Sequence, residues 1–145
     1  MMAVGLIVAA VLVALAGLHA YWATGGVWPG TDEKSCARTI AGFKGIERMP
    51  SRPQAIAVSV ILFVAAMLAL FLGSGGNVLP ASLMLLAGTA ASFVFIGRGV
   101  LGYLPVWRRI TPEMPFALYD VRYYSPLCLA LGAGFAFLTA SGATS

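Results

Sequence analysis

A chain of 145 residues that is 60% hydrophobic and only 10% charged cannot be an ordinary soluble domain, where about 25% of residues carry charge. At this length a soluble core cannot hide so much apolar surface, so much of it must face lipid, in a single membrane domain over residues 1–145. The net charge of +4 excludes no membrane role, but nucleic acid is not an expected partner because no soluble basic domain is left to hold it.

Apolar runs of membrane length recur four times, at about 2–23, 54–72, 79–103 and 126–141. They are continuous rather than alternating, which predicts α-helices and not a β-barrel. The first run, Met2 to Ala23, lacks a basic leader and exceeds the ~7–15 residues of a signal-peptide core, so it is expected to remain as a span. It closes on "LHAYWATGGVWPG", which carries the one histidine of the chain, His19, followed by Tyr21, Trp22 and Trp28. Gly25-Gly26 and Pro29-Gly30 break helix there. Thr31 ahead of Asp32 and Glu33 then predicts a short helix to Ala41, stopped at Gly42, with Cys36, Ile40 and Phe43 on one face against the membrane surface.

Span two is announced by Ser51 ahead of Pro53 and, past Gln54 at its start, holds Ser59 as its one polar side chain. The uncharged "GSGGN" link, Gly73 to Asn77, leads to span three, which is rich in small residues: Gly88, Ala91, Ser92, Gly99 and Gly102. Span three ends with Arg98, Tyr103 and Trp107, then Arg108-Arg109, a pattern suited to an aromatic belt and a snorkelling anchor. Thr111-Pro112-Glu113 predicts another short helix, and Ser125-Pro126 the start of span four. The fourth run is short for a span, since roughly 20 residues cross a 30 Å core. Gly132, Ala136 and Ala140 form its small-residue stripe.

All charged residues fall in or beside the two long links. By the positive-inside rule those links are cytoplasmic and both termini outside. The expected fold is therefore an all-α four-helix membrane bundle, N-out and C-out, with short interfacial helices in two longer cytoplasmic loops. The basic face suits anionic lipid. Cys36 and Cys128 lack metal-type spacing and are expected as free thiols; one histidine is a poor metal set.

Helix rise places His19 roughly 25 Å along span one and Arg98 roughly 27 Å along span three. Both thus reach the boundary at which Tyr124 and Cys128 open span four, with Asp120 just outside. A conduit needs polar groups through the whole thickness; here they collect at one end, which favours a pocket at the cytoplasmic interface. In that reading Arg98 holds a polar or anionic head, His19 is a hydrogen-bond partner or acid–base group, and Asp120 is a second catalytic candidate or orients Arg98 or His19. Trp22, Trp28 and Tyr124 wall the pocket. The ligand would be lipid-like or otherwise amphipathic; the cofactor is unknown. Each residue has a plainer reading: His19 as an interfacial ring, Arg98 as a snorkelling cation, Asp120 paired with Arg122. The alternative function is an accessory subunit or assembly factor that meets a membrane partner through the small-residue faces of spans three and four, using Gly99, Gly132 and Ala136.

Four blocks, "HAYWATGGVWPG", "RMPSRP", "GRGVLGYL" and "PFALYDVRYYSPLCLALG", together resemble a bacterial family of small four-span membrane proteins catalogued as a domain of unknown function. The resemblance covers nearly the whole chain. It implies that these blocks belong together, and it brings no activity, substrate or cofactor.

Overall fold

The computed structural model describes residues 1–76 and 79–143. It is all-α. Four helices are long and apolar enough to cross a membrane: α1 (Met2–Ala23), α3 (Arg52–Ser74), α4 (Ala81–Leu101) and a final helix over Phe116–Gly142. The shorter α2 (Glu33–Ile40) and α5 (Pro105–Ile110) lie in the two long links. The final helix comprises α6 (Phe116–Tyr119), a π turn (Asp120–Tyr124) and α7 (Ser125–Ala143).

The long helices pack as two antiparallel pairs. In the α1–α3 pair the closest approach is at Gly5, where a Cβ would come 2.7 Å from the Ala69 carbonyl and 3.0 Å from Gly73 Cα. Towards the other end Ser59 donates its hydroxyl to Ala16 O at 2.8 Å. In the α4–α7 pair a Cβ on Gly132 would meet Ile96 N at 2.8 Å and Ser92 O at 3.1 Å. Ser92 in turn donates to Gly132 O at 2.9 Å. With no water to drive helix association inside lipid, such close backbone contact and interhelical hydrogen bonds are what hold the pairs. The pairs meet in one apolar core, with Leu12, Phe135 and Leu138 fully buried and Phe95 stacked on Phe135 at 5.8 Å. Ile7, Ile61, Val64, Leu86, Phe93 and Val94 point outward and stay exposed, as lipid-facing side chains do.

The small residues of the third and fourth spans are thus partly consumed within the chain. Gly99 and Gly132 are buried between α4 and α7, while Ala136 and Ala140 remain exposed.

The links depart from the sequence expectation in three places. Asp32, rather than Thr31, caps α2: its carboxylate accepts Ser35 N–H while the Ser35 hydroxyl accepts Asp32 N–H. The buried side of α2 is Cys36, Ala37 and Thr39, turned onto the protein; Phe43 lies beyond the helix and is exposed. Second, no helix opens at Thr111. The helix is α5, which starts at Pro105 and ends where the buried Thr111 donates its hydroxyl to Trp107 O. Third, Ser125 is buried in a continuous helix instead of capping a new one.

The π turn explains how helix continues through Ser125-Pro126. Ser125 N–H bonds Asp120 O, one residue further back than in an α-helix. In that five-residue register Pro126, which has no N–H, leaves Val121 O without a helical donor. The Tyr103 hydroxyl supplies one at 3.1 Å. The fourth span therefore gains its length from residues before Pro126, reaching 27 residues.

The two links dock on one another. Lys44 N–H donates to Ile110 O at 3.0 Å and Glu113 N–H to Gly42 O at 3.1 Å. Glu113 also accepts Gly45 N–H and pairs with Arg38. Gly42, at φ 64°, has room for no side chain, because Phe116 packs where its Cβ would be. At the other end α3 closes on Gly75; of the Gly73-to-Asn77 link, Asn77 lies outside the described residues.

Candidate functional site

The polar residues singled out from the sequence gather where the ends of α1, α4 and the final helix meet the docked links. A cavity of about 400 Å³ opens there. His19 and Trp22 line it from α1, Arg98 from α4, Tyr124 and Cys128 from the final helix, and Trp28 from the first link. Leu15, Leu18, Pro29, Ile40, Phe116 and Leu127 complete apolar walls. A smaller cavity of about 130 Å³ lies on the other side of His19, Trp22 and Ile40, against Met49, Gln54 and Val58. Both cavities share the His19–Trp22 wall.

Local structure fixes each polar group. His19 Nδ1 lies 2.8 Å from Leu15 O, one turn back in α1. A carbonyl can only accept, so Nδ1 carries a proton, and in the neutral tautomer that does so Nε2 is an acceptor. The ring meets Trp22 edge-on at 4.9 Å. Trp22 Nε1–H donates to Trp28 O at 2.7 Å, and the Tyr21 hydroxyl accepts Trp28 N–H at 3.3 Å. These two bonds fold the Gly-rich turn back over the end of α1 and set Trp28 at the cavity. The Tyr124 hydroxyl donates to Thr39 O of α2 at 3.0 Å, tying the final helix to the first link.

Arg98 is held from behind. Its Nη2 donates to Asp120 Oδ1 at 2.7 Å and its Nη1 to Ser125 Oγ at 3.5 Å, and its guanidinium lies over the Trp107 ring at 5.1 Å. Asp120 is fully buried and its other oxygen accepts Trp107 Nε1–H at 2.9 Å, while Ser125 donates to Oδ1 at 3.2 Å. Both carboxylate oxygens are thus occupied. The partner of Asp120 is Arg98, not its sequence neighbour Arg122, which lies over the Tyr123 ring instead.

Asp120 therefore stands behind Arg98 and is not among the residues that line the cavity. Two of its partners were not foreseen: Trp107, read as a belt residue, and Ser125, read as a cap. The Asp120–Ser125 contact spans five residues, a spacing that an α-helical reading does not bring together. Ser125 can approach α4 because Gly102 has no side chain there; a Cβ would lie 1.8 Å from Ser125 Oγ.

The matching of the family's sequence profile to residues 2–135 decides the family. The chain belongs to the DUF3995 family, proteins of unknown function. Nothing among curated proteins or solved structures matches it. This DUF3995 protein is thus a small four-span membrane protein, with all four quoted blocks inside the matched region and only the last residues of the fourth helix beyond it.

Among the described residues no three His, Cys, Asp or Glu side chains come together. Cys36 and Cys128 are free thiols. Burial pushes the Cys36 thiol above its ordinary range, which favours the protonated, unreactive form.

Proposed function

We propose that this protein binds an amphipathic small molecule at the end of the bundle where the charged links dock. The observation that carries the reading is the 400 Å³ cavity, in which His19, Arg98 and Tyr124 face one space between aromatic and aliphatic walls. Its size falls in the range of ~300–1,000 Å³ for ligand sites, and a few fixed polar groups in an apolar wall are what such sites present. In this reading Trp22, Trp28 and Tyr124 hold the apolar body of the ligand, and His19 and Arg98 its polar end. Asp120 positions Arg98, since its own oxygens are already occupied. All charged side chains lie at this end, which under the positive-inside rule supports a cavity on the cytoplasmic side; the resemblance to a bacterial family supports an inner membrane.

Native mass spectrometry of gently purified protein tests the reading. A retained small molecule or lipid is expected on the native chain, weakened in His19→Phe and lost in Trp28→Ala. Retention unchanged in both variants, or no retained or added lipid on the native chain, would sink it. An accessory role is less well supported, because Gly99 and Gly132 are occupied within the chain by α7 and α4.

A further inference from the structure

Resting on that reading, we infer that the ligand is a neutral lipid with a free hydroxyl group rather than an anionic lipid. The inference comes from counting donors, acceptors and charge around the cavity. Arg98 is its one charged lining residue, and its charge is balanced by the buried Asp120 at 2.7 Å. The nearby Arg38 is likewise paired with Glu113, and Lys34 with Glu47. An anion would enter a cavity whose one charged lining residue is already compensated, against the cost of leaving water.

The hydrogen-bonding groups point the same way. In the neutral tautomer that donates Nδ1–H to Leu15 O, His19 turns an acceptor, Nε2, to other partners. Tyr124 has committed its hydroxyl proton to Thr39 O and has only lone pairs left. Arg98 is the donor: of its five N–H groups, Asp120 and Ser125 take two. A carboxylate or phosphodiester has acceptors only, and would leave His19 and Tyr124 facing lone pair to lone pair. A hydroxyl supplies the missing donor and can itself accept from Arg98. A carbonyl beside it would give Arg98 a second acceptor. Two kinds of neutral lipid carry this chemistry, a diacylglycerol, with hydroxyl and ester carbonyls, and a polyprenol, with hydroxyl alone.

The experiment is a competition read by native mass spectrometry on the full-length protein in detergent. The probes are 1,2-dioleoylglycerol, its 3-O-acetyl derivative, a polyprenol, and dioleoyl phosphatidylmethanol, which is anionic and lacks a hydroxyl. Dioleoylglycerol or the polyprenol should be retained about tenfold over the acetylated and the anionic lipid, the ratio a single buried hydrogen bond can give. Preference for dioleoylglycerol over the polyprenol assigns the carbonyl to Arg98; equal retention assigns the hydroxyl alone. His19→Phe, which keeps an aromatic ring against Trp22, should abolish the discrimination against the acetylated lipid. Equal retention of the acetylated form, or displacement by phosphatidylmethanol, overturns this inference while leaving a lipid site in place. Failure of every probe to bind overturns both the inference and the reading beneath it.

Discussion

Replacing Arg98 by methionine tests the arrangement at its most heavily committed point. Asp120 is 0% exposed and accepts from Arg98, Trp107 and Ser125. Arg98→Met leaves that carboxylate buried with two neutral donors. Removing one partner of a buried pair costs about 3–5 kcal/mol. The Arg98 side chain is 30% exposed, so solvent screens the pair in part and the low end, about 3 kcal/mol, applies. Asp120→Asn keeps an oxygen for Trp107 Nε1–H and leaves a cation that can still reach water, a loss of about 1–2 kcal/mol. The double variant has neither charge and should lose only about 1–2 kcal/mol. The pair should therefore be coupled by roughly 2–4 kcal/mol, far outside the ~0.5 kcal/mol within which independent sites add. Unfolding in mixed micelles by SDS titration, or steric trapping in bicelles, measures all four species. A loss below about 1 kcal/mol for Arg98→Met, or additivity of the two substitutions, would refute the placement of Asp120 as the buried counter-ion.

Gly132→Ala should force α4 and α7 apart and destabilise by about 1–3 kcal/mol, because its Cβ would lie 2.8 Å from Ile96 N. Gly97→Ala, with nothing within 4 Å, should be neutral or slightly stabilising in the same SDS titration, and equal effects would count against the packing described. Tyr103→Phe removes the donor that meets Val121 O beside Pro126 and should cost about 0.5–1.5 kcal/mol; an unchanged transition would argue that water serves that carbonyl. Cys36, fully buried and with its thiol raised by burial, should react with maleimide near neutral pH only after unfolding; rapid labelling of the folded protein would contradict its docking. The Asp32 carboxylate is held below its ordinary value of 3.8 by the Ser35 backbone N–H and then by the Ser35 hydroxyl. A carboxylate depressed on folding stabilises fully above its ordinary value and loses that contribution as pH falls through the lowered one. Protection of the Ser35 and Cys36 amides, each exchange rate taken against its intrinsic rate at the same pH, should therefore hold down to pH 3.8 and fall below it; protection lost already near neutral pH would show that the cap does not hold α2.

Composition and pattern alone determine that four apolar helices form, because uninterrupted runs of this length leave no other way to satisfy a backbone in lipid. They also determine that charge collects at one end, and helix rise is enough to bring His19, Arg98 and Tyr124 to one level. What lies beyond the sequence is rotation about each helix axis and any shift of register. Hydropathy near uniform around a span does not say which face turns inward, so the mutual burial of Gly99 and Gly132 emerges only from packing. The link helices are set by contacts distant in sequence, such as Gly42 with Phe116 and Thr39 with Tyr124. The π turn is the sharpest case. Ser125-Pro126 reads locally as a helix start, yet one residue of extra winding, made tolerable by the Tyr103 hydroxyl, carries the helix through. That same turn brings Ser125 against Asp120, the acid that holds Arg98 at the cavity.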